Sequence, residues 1–192
     1  ASDNTGVGHS ALEANTTGTR NSAVGKNSLG ANTTANDNTA FGHNTLSANT
    51  TGNNNTVVGT SAGSTLTTGV QNTFIGALTG DGTDDGARNT AIGYLTLSGN
   101  CGDDNSAVGE NSLFATTGSK NTGIGGNSGE ANTSGNHNVF LGFEAGVTGS
   151  PGGNNTGGSG SVFLGDDNID AAHIQVDWTV ASDARDKTDF TA

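Results

Sequence analysis

Asn21-Ser22-Ala23-Val24-Gly25 returns as Asn38-Thr39-Ala40-Phe41-Gly42 and again as Asn89-Thr90-Ala91-Ile92-Gly93. The pattern Asn-[Thr/Ser/Val]-x-apolar-Gly begins at Asn4, Asn21, Asn38, Asn55, Asn72, Asn89, Asn105, Asn121 and Asn138. Successive starts are evenly placed, from Asn4 to Asn21 to Asn38, and the step shortens by one only at Asn105 and Asn121. A degenerate copy, Ser161-Val162-Phe163-Leu164-Gly165, follows the ninth after a longer interval, from Asn138 to Ser161. Such a short, fixed period marks a solenoid, in which one unit cannot bury its apolar face alone and stacked neighbours bury it together.

Each copy carries an apolar residue at its fourth position, from Val7 and Val24 through Phe41 and Ile92 to Leu164. Val, Ile and Phe favour strands, so this position is expected to be the inward anchor of a short strand. The fifth position is always Gly, as in Gly25, Gly42 and Gly93, which suits a corner needing positive φ or close backbone approach. A small residue and then Leu or Gly follow, as in Ser28-Leu29 and Thr96-Leu97, and are expected to form a second strand with a second inward anchor. Polar turns such as Asn49-Thr50-Thr51-Gly52 close the copy. The expected fold is all-β: a parallel β-roll or β-solenoid of about ten coils of 16–17 residues, roughly 45–50 Å long at the usual strand spacing. The leading Asn residues are expected to stack as a hydrogen-bonded ladder.

Composition agrees. Only 30% of the 192 residues are hydrophobic, too few for one large core, while charged residues reach only 12%, too few for ordinary disorder. The heavy Gly, Thr and Asn content excludes a helical repeat. Two or three apolar anchors per coil make a thin core, marginal for a lone chain. Winding three chains around one axis would bury the apolar stripe and the sheet edges together, so a homotrimer is expected. A net charge of −12 argues against a nucleic-acid partner, and no apolar run approaches the roughly 20 residues that span a bilayer. The chain opens Ala1-Ser2-Asp3, with no Met and no signal-like apolar stretch, and reads as a processed chain or a fragment. Cys101 is the only cysteine and reads as a small residue in a turn.

Blocks such as Asn21–Gly25, Asn89–Gly93 and Asn105-Ser106-Ala107-Val108-Gly109 resemble the head repeats of trimeric autotransporter adhesins and related repeats of phage tail fibres. The resemblance covers nearly all of residues 4–165 and implies a left-handed parallel β-roll with three chains side by side. The period is longer than the adhesin head's usual unit, so the turns are expected to project further. After Gly165 the repeat is lost, and Ser182-Asp183-Ala184-Arg185-Asp186-Lys187 resembles the entry to the endosialidase-type intramolecular chaperone that ends many phage tail fibres. In that family the chaperone assists trimer assembly and then cuts itself off. The resemblance implies Ser182 as nucleophile, Ser182-Asp183 as the scissile bond and Lys187 as base, a sensible pairing because a desolvated Lys accepts a hydroxyl proton. Five residues follow Lys187, so the chaperone body is absent from this sequence and the chain is expected to be inert.

The expected organisation is a repeat shaft over 1–147, a degenerate last coil with a Gly-rich insertion over 148–168, and a connector over 169–192. Asp81, Asp84 and Asp85 lie in an acidic turn that could begin a calcium site, but no bidentate Glu follows, and a solvated turn is the plainer reading. His9 and His43 share a repeat position two coils apart, about 10 Å, too far for one metal ion to bridge. Turn pairs such as Thr16-Thr17 and Thr50-Thr51 resemble ice-binding ranks, yet adjacent residues in extended chain point to opposite sides. Sequons such as Asn15-Thr16-Thr17 and Asn49-Thr50-Thr51 read as ordinary turns. No hydrolase triad or phosphate loop is visible, and no cofactor is expected. The leading expectation is an extracellular, non-enzymatic phage tail-fibre segment on a virion, contributing to attachment to a host glycan or protein receptor. A bacterial adhesin head is the alternative, and an ice-binding solenoid the third.

Overall fold

A computed structural model describes residues 2–150 and 152–169. Ten three-residue strands run through it: β1 (Thr5–Val7), β2 (Ser22–Val24), β3 (Thr39–Phe41), β4 (Thr56–Val58), β5 (Thr73–Ile75), β6 (Thr90–Ile92), β7 (Ser106–Val108), β8 (Thr122–Ile124), β9 (Val139–Leu141) and β10 (Val162–Leu164). They form one parallel sheet in chain order, and the described residues contain no helix. The register pairs motif with motif, so Ala23 lies beside Ala40 and Val24 beside Phe41. The fold is a parallel β-solenoid. Of the expected ten or so coils, eight regular turns join β1 to β9, and a longer one, from Asn138 to Ser161, reaches β10.

The strand faces also correct the sequence reading. The third position points inward, and Ala23, Ala40, Val57, Phe74, Ala91, Ala107 and Phe140 are buried. The fourth position points out: Val7 and Phe41 are each 56% exposed. Period-2 alternation forces neighbours to opposite faces, and the more constant apolar residue is the outer one.

The second inward anchor is present but not on a strand. Leu29, Leu46, Leu97 and Leu113 are fully buried, yet their φ angles of 50, 48, 51 and 51° lie in the left-handed region, which breaks extended structure. The stack holds them there: Leu29 N–H donates to the Thr45 carbonyl at 3.0 Å, and Leu46 N–H to that of Ala62 at 3.0 Å. Core volume is shared between the third position and this ninth one. Turns with Leu at the ninth carry Gly or Ala at the third, whereas Val57 and Phe74 accompany Gly63 and Gly80. Near the other end, the Phe140 and Phe163 rings stack at 5.2 Å between centroids.

The motif glycines serve close approach. A Cβ on Gly8, at φ 130°, would lie 2.5 Å from the Gly25 carbonyl oxygen of the next turn.

Buried Asn side chains form the polar spine. Asn21 N–H donates to Asn4 Oδ1, Asn38 N–H to Asn21 Oδ1, and so on to Ser161 N–H on Asn138 Oδ1, all at 2.8 to 3.0 Å. Each Nδ2 donates to a turn carbonyl, for example Asn38 to Gly52 at 2.9 Å and Asn55 to Gly69 at 2.9 Å. Every amide thus satisfies two backbone groups that burial would otherwise leave unpaired. Asn15, Asn32 and Asn49 make a second column, ending where Leu66 takes the next place and Asn49 Oδ1 is left without a partner.

Candidate interaction surface

The outer face of the sheet carries two columns at the strand spacing of about 4.8 Å. One is the fourth-position stripe, where Phe41, Ile75, Ile92, Val108, Ile124 and Leu141 are exposed and Val24 and Val58 half-buried. The other is the second position, Thr or Ser from Thr5 to Thr122 and Val in β9 and β10. Its hydroxyls make no hydrogen bond among the described residues. Sequence reasoning weighed the Thr pairs of the turns and missed this column, whose signal was the Thr or Ser after each leading Asn. In the turns, the first Thr of a pair is already used: Thr16, Thr33 and Thr50 Oγ1 donate to carbonyls of the next turn at 2.9, 3.1 and 3.2 Å.

Charges stand on the residue before several leading Asn residues, at Asp3, Arg20, Asp37, Arg88, Asp104 and Lys120. Arg20 grips Asp37 through Nε at 2.6 Å and Nη2 at 2.7 Å. Arg88 reaches Asp104 at 2.7 and 3.1 Å and Asp103 at 2.8 Å. Hydrogen bonding to these guanidinium groups holds the Asp37 and Asp104 carboxyls below the usual carboxylate range and raises Arg88 in turn. All are exposed, so the pairs contribute little stability each. Sequence reasoning missed them because the partners are one turn, not one helical step, apart.

The acidic turn is dispersed. The Asp84 carboxylate accepts from the Thr67 hydroxyl, the Asp81 carbonyl accepts from Thr65 Oγ1 at 2.5 Å, and Asp85 is exposed. Among the described residues no group of three or more His, Cys, Asp or Glu is arranged to hold a metal ion. His9, His43 and His137 are exposed at the surface, each apart from the others. The sequon amides of Asn32 and Asn49 are buried inside the Asn column. Cys101 is buried against Thr83 Oγ1 at 3.1 Å, and burial pushes its thiol up to about 11. Ser182, Asp183 and Lys187 lie outside the described residues. No described helix is long and apolar enough to cross a membrane.

A groove opens where the long turn begins. It has a volume of about 440 Å³ and is lined by Glu130, Ala131, Glu144, Val147, Thr148 and Asn154. Comparison with protein families, curated proteins and solved structures finds nothing that matches this chain.

Proposed function

We propose that the chain is a shaft segment of an extracellular fibre, in which three copies pack their outer sheet faces around a common axis as a left-handed, intertwined trimer. One observation carries this reading: an in-register stripe of Val, Ile, Phe and Leu lies along one face of a rigid stack, with Phe41 56% and Ile124 48% exposed. A contiguous apolar stripe of this kind marks an interface. A threefold axis parallel to the stack places all three stripes together, and the strand ladders supply stiffness. The resemblance of Ser182–Lys187 to a chaperone entry favours a phage tail fibre that extends a host-attachment end from the virion; an adhesin head is the alternative within the same architecture.

The test is the solution mass of residues 1–192 by light scattering over a range of dilutions. Three times the 18.8 kDa chain is expected; a folded 18.8 kDa monomer overturns the trimer.

A second reading rests on the free second-position hydroxyls, which, with the apolar stripe, make a regular Thr/apolar lattice of the type that could order ice. A monomer showing thermal hysteresis would favour that reading.

A further inference from the structure

We infer that the groove beside the long turn is a binding site for a neutral sugar. The inference rests on the fibre reading only for its multiplicity of three sites.

The site has its own construction. Eight turns keep the short period, whereas the ninth runs on from Asn138 to Ser161. Its chain lines the groove through Glu144, Val147, Thr148 and Asn154, and the turn below adds Glu130 and Ala131. Some polar side chains pair up the stack, as Arg20 does with Asp37 and Asn111 with Asn127 at 3.3 Å. Among the described residues the side chains of Glu130, Glu144, Thr148 and Asn154 make no hydrogen bond or ion pair. Four polar groups without protein partners thus line an open depression that also has an apolar part, Val147 and Ala131. This combination, a few polar groups on a partly apolar depression, is that of a small-molecule site.

The donor set selects the ligand class. Carboxylates only accept, so the ligand must present donors to Glu130 and Glu144, while Asn154 and Thr148 both give and take. Sugar hydroxyls meet both demands, and a C–H face of the ring suits Val147. An acidic sugar is disfavoured by the two carboxylates and by the net charge of −12. The ninth position faces the strand side chains across the core: a Cβ built on Gly129 would meet the Phe140 ring. Glu130 and Val147 follow the ninth-position Gly129 and Gly146 directly in the chain. Three copies of a weak site then act with avidity.

The test is saturation-transfer NMR on the whole chain with methyl glycosides of glucose, galactose, mannose, N-acetylglucosamine and N-acetylgalactosamine, and with N-acetylneuraminic acid as the acidic probe. Transfer to at least one neutral glycoside and none to the acidic sugar is expected. Glu130→Gln with Glu144→Gln should weaken binding roughly tenfold or more by removing charge-assisted hydrogen bonds. Glu110→Gln should leave it unchanged, with circular dichroism confirming that both variants fold. No transfer to any neutral glycoside, or transfer that survives in the double variant, overturns the site. Mass measured on the same sample separates the two readings: a trimer without sugar binding removes only the groove, and a sugar-binding monomer removes only the fibre.

Discussion

The Phe74 ring occupies the place where Gly80 would carry a side chain: a Cβ built on Gly80 would lie 2.5 Å from Phe74 Cε2. A Cβ built on Gly63, one turn below, would lie 3.4 Å from Cδ2 of the same ring. Gly80→Ala should therefore cost about 2–4 kcal/mol, combining overpacking with a left-handed backbone at φ 61°. Phe74→Ala should cost about 3–5 kcal/mol through the cavity it leaves. The double variant Phe74→Ala with Gly80→Leu recreates the Ala91/Leu97 arrangement and should lose less than the sum of its single changes. Urea unfolding of the parent, the double variant and its two single variants measures this; simple additivity would sink the volume-sharing account.

The Asn spine is testable at one rung. Asn55→Ala leaves the Asn72 N–H and the Gly69 carbonyl without partners. Two buried, unsatisfied backbone groups should cost about 2–4 kcal/mol, whereas Thr51→Ala on the surface should stay within about 0.5 kcal/mol. Equal effects in thermal or urea unfolding would contradict the ladder's role.

Acid should weaken the shaft through Asp37 and Asp104. Both carboxyls are depressed in the folded chain, so the unfolded chain binds protons first as pH falls. Their contribution is complete above the ordinary carboxylate value of about 3.9 and is lost as pH drops through the lower folded values. Melting temperature should fall below about pH 4, and Asp37→Asn with Asp104→Asn should flatten that slope. An unchanged slope would show that other carboxyls dominate.

Cys101 should react slowly with a thiol reagent at pH 8 and rapidly after unfolding, because the buried thiol is raised to about 11. The sign is opposite to that of the aspartates. Stability from the protonated thiol is full below the ordinary thiol range of about 8.5 and is lost as pH climbs toward the folded value. Rapid labelling of the folded chain would contradict its burial.

Ile92→Asp should leave the circular dichroism of the stack intact, because this side chain points out of the core, while shifting the mass of the proposed trimer to that of a monomer. Ala91→Asp, one residue earlier and fully buried, should instead unfold the chain. If both variants behave alike, the assignment of the two strand faces fails.

Much of this was readable beforehand. The period located every strand, and the Gly column followed from it. The faces were not readable, because the third and fourth positions are both apolar in copies such as Val57-Val58 and Phe74-Ile75, and alternation alone does not say which of two apolar neighbours faces in. The left-handed leucines were hidden too, since Leu carries no sequence signal for positive φ; the stack imposes that conformation. The exchange of Leu for Gly at positions 63 and 80 beside a larger third residue was in plain sight, but it acquires meaning only once the two columns are known to share one core. The lengthened spacing before Ser161 was visible as an irregularity, while the groove beside it needed coordinates.

The shared core volume also bears on how such a chain is inherited. The first three turns have interchangeable interiors: Gly6, Ala23 and Ala40 at the third position face Leu12, Leu29 and Leu46 at the ninth. Copying or excising one whole period there leaves every column intact, so recombination can lengthen or shorten the solenoid in steps of a single turn. Around Phe74, and around Phe140 with Gly129 and Gly146, the same event would separate a ring from the glycine that admits it. Those two places are fixed joints in an otherwise adjustable rod, and gene duplication should respect them.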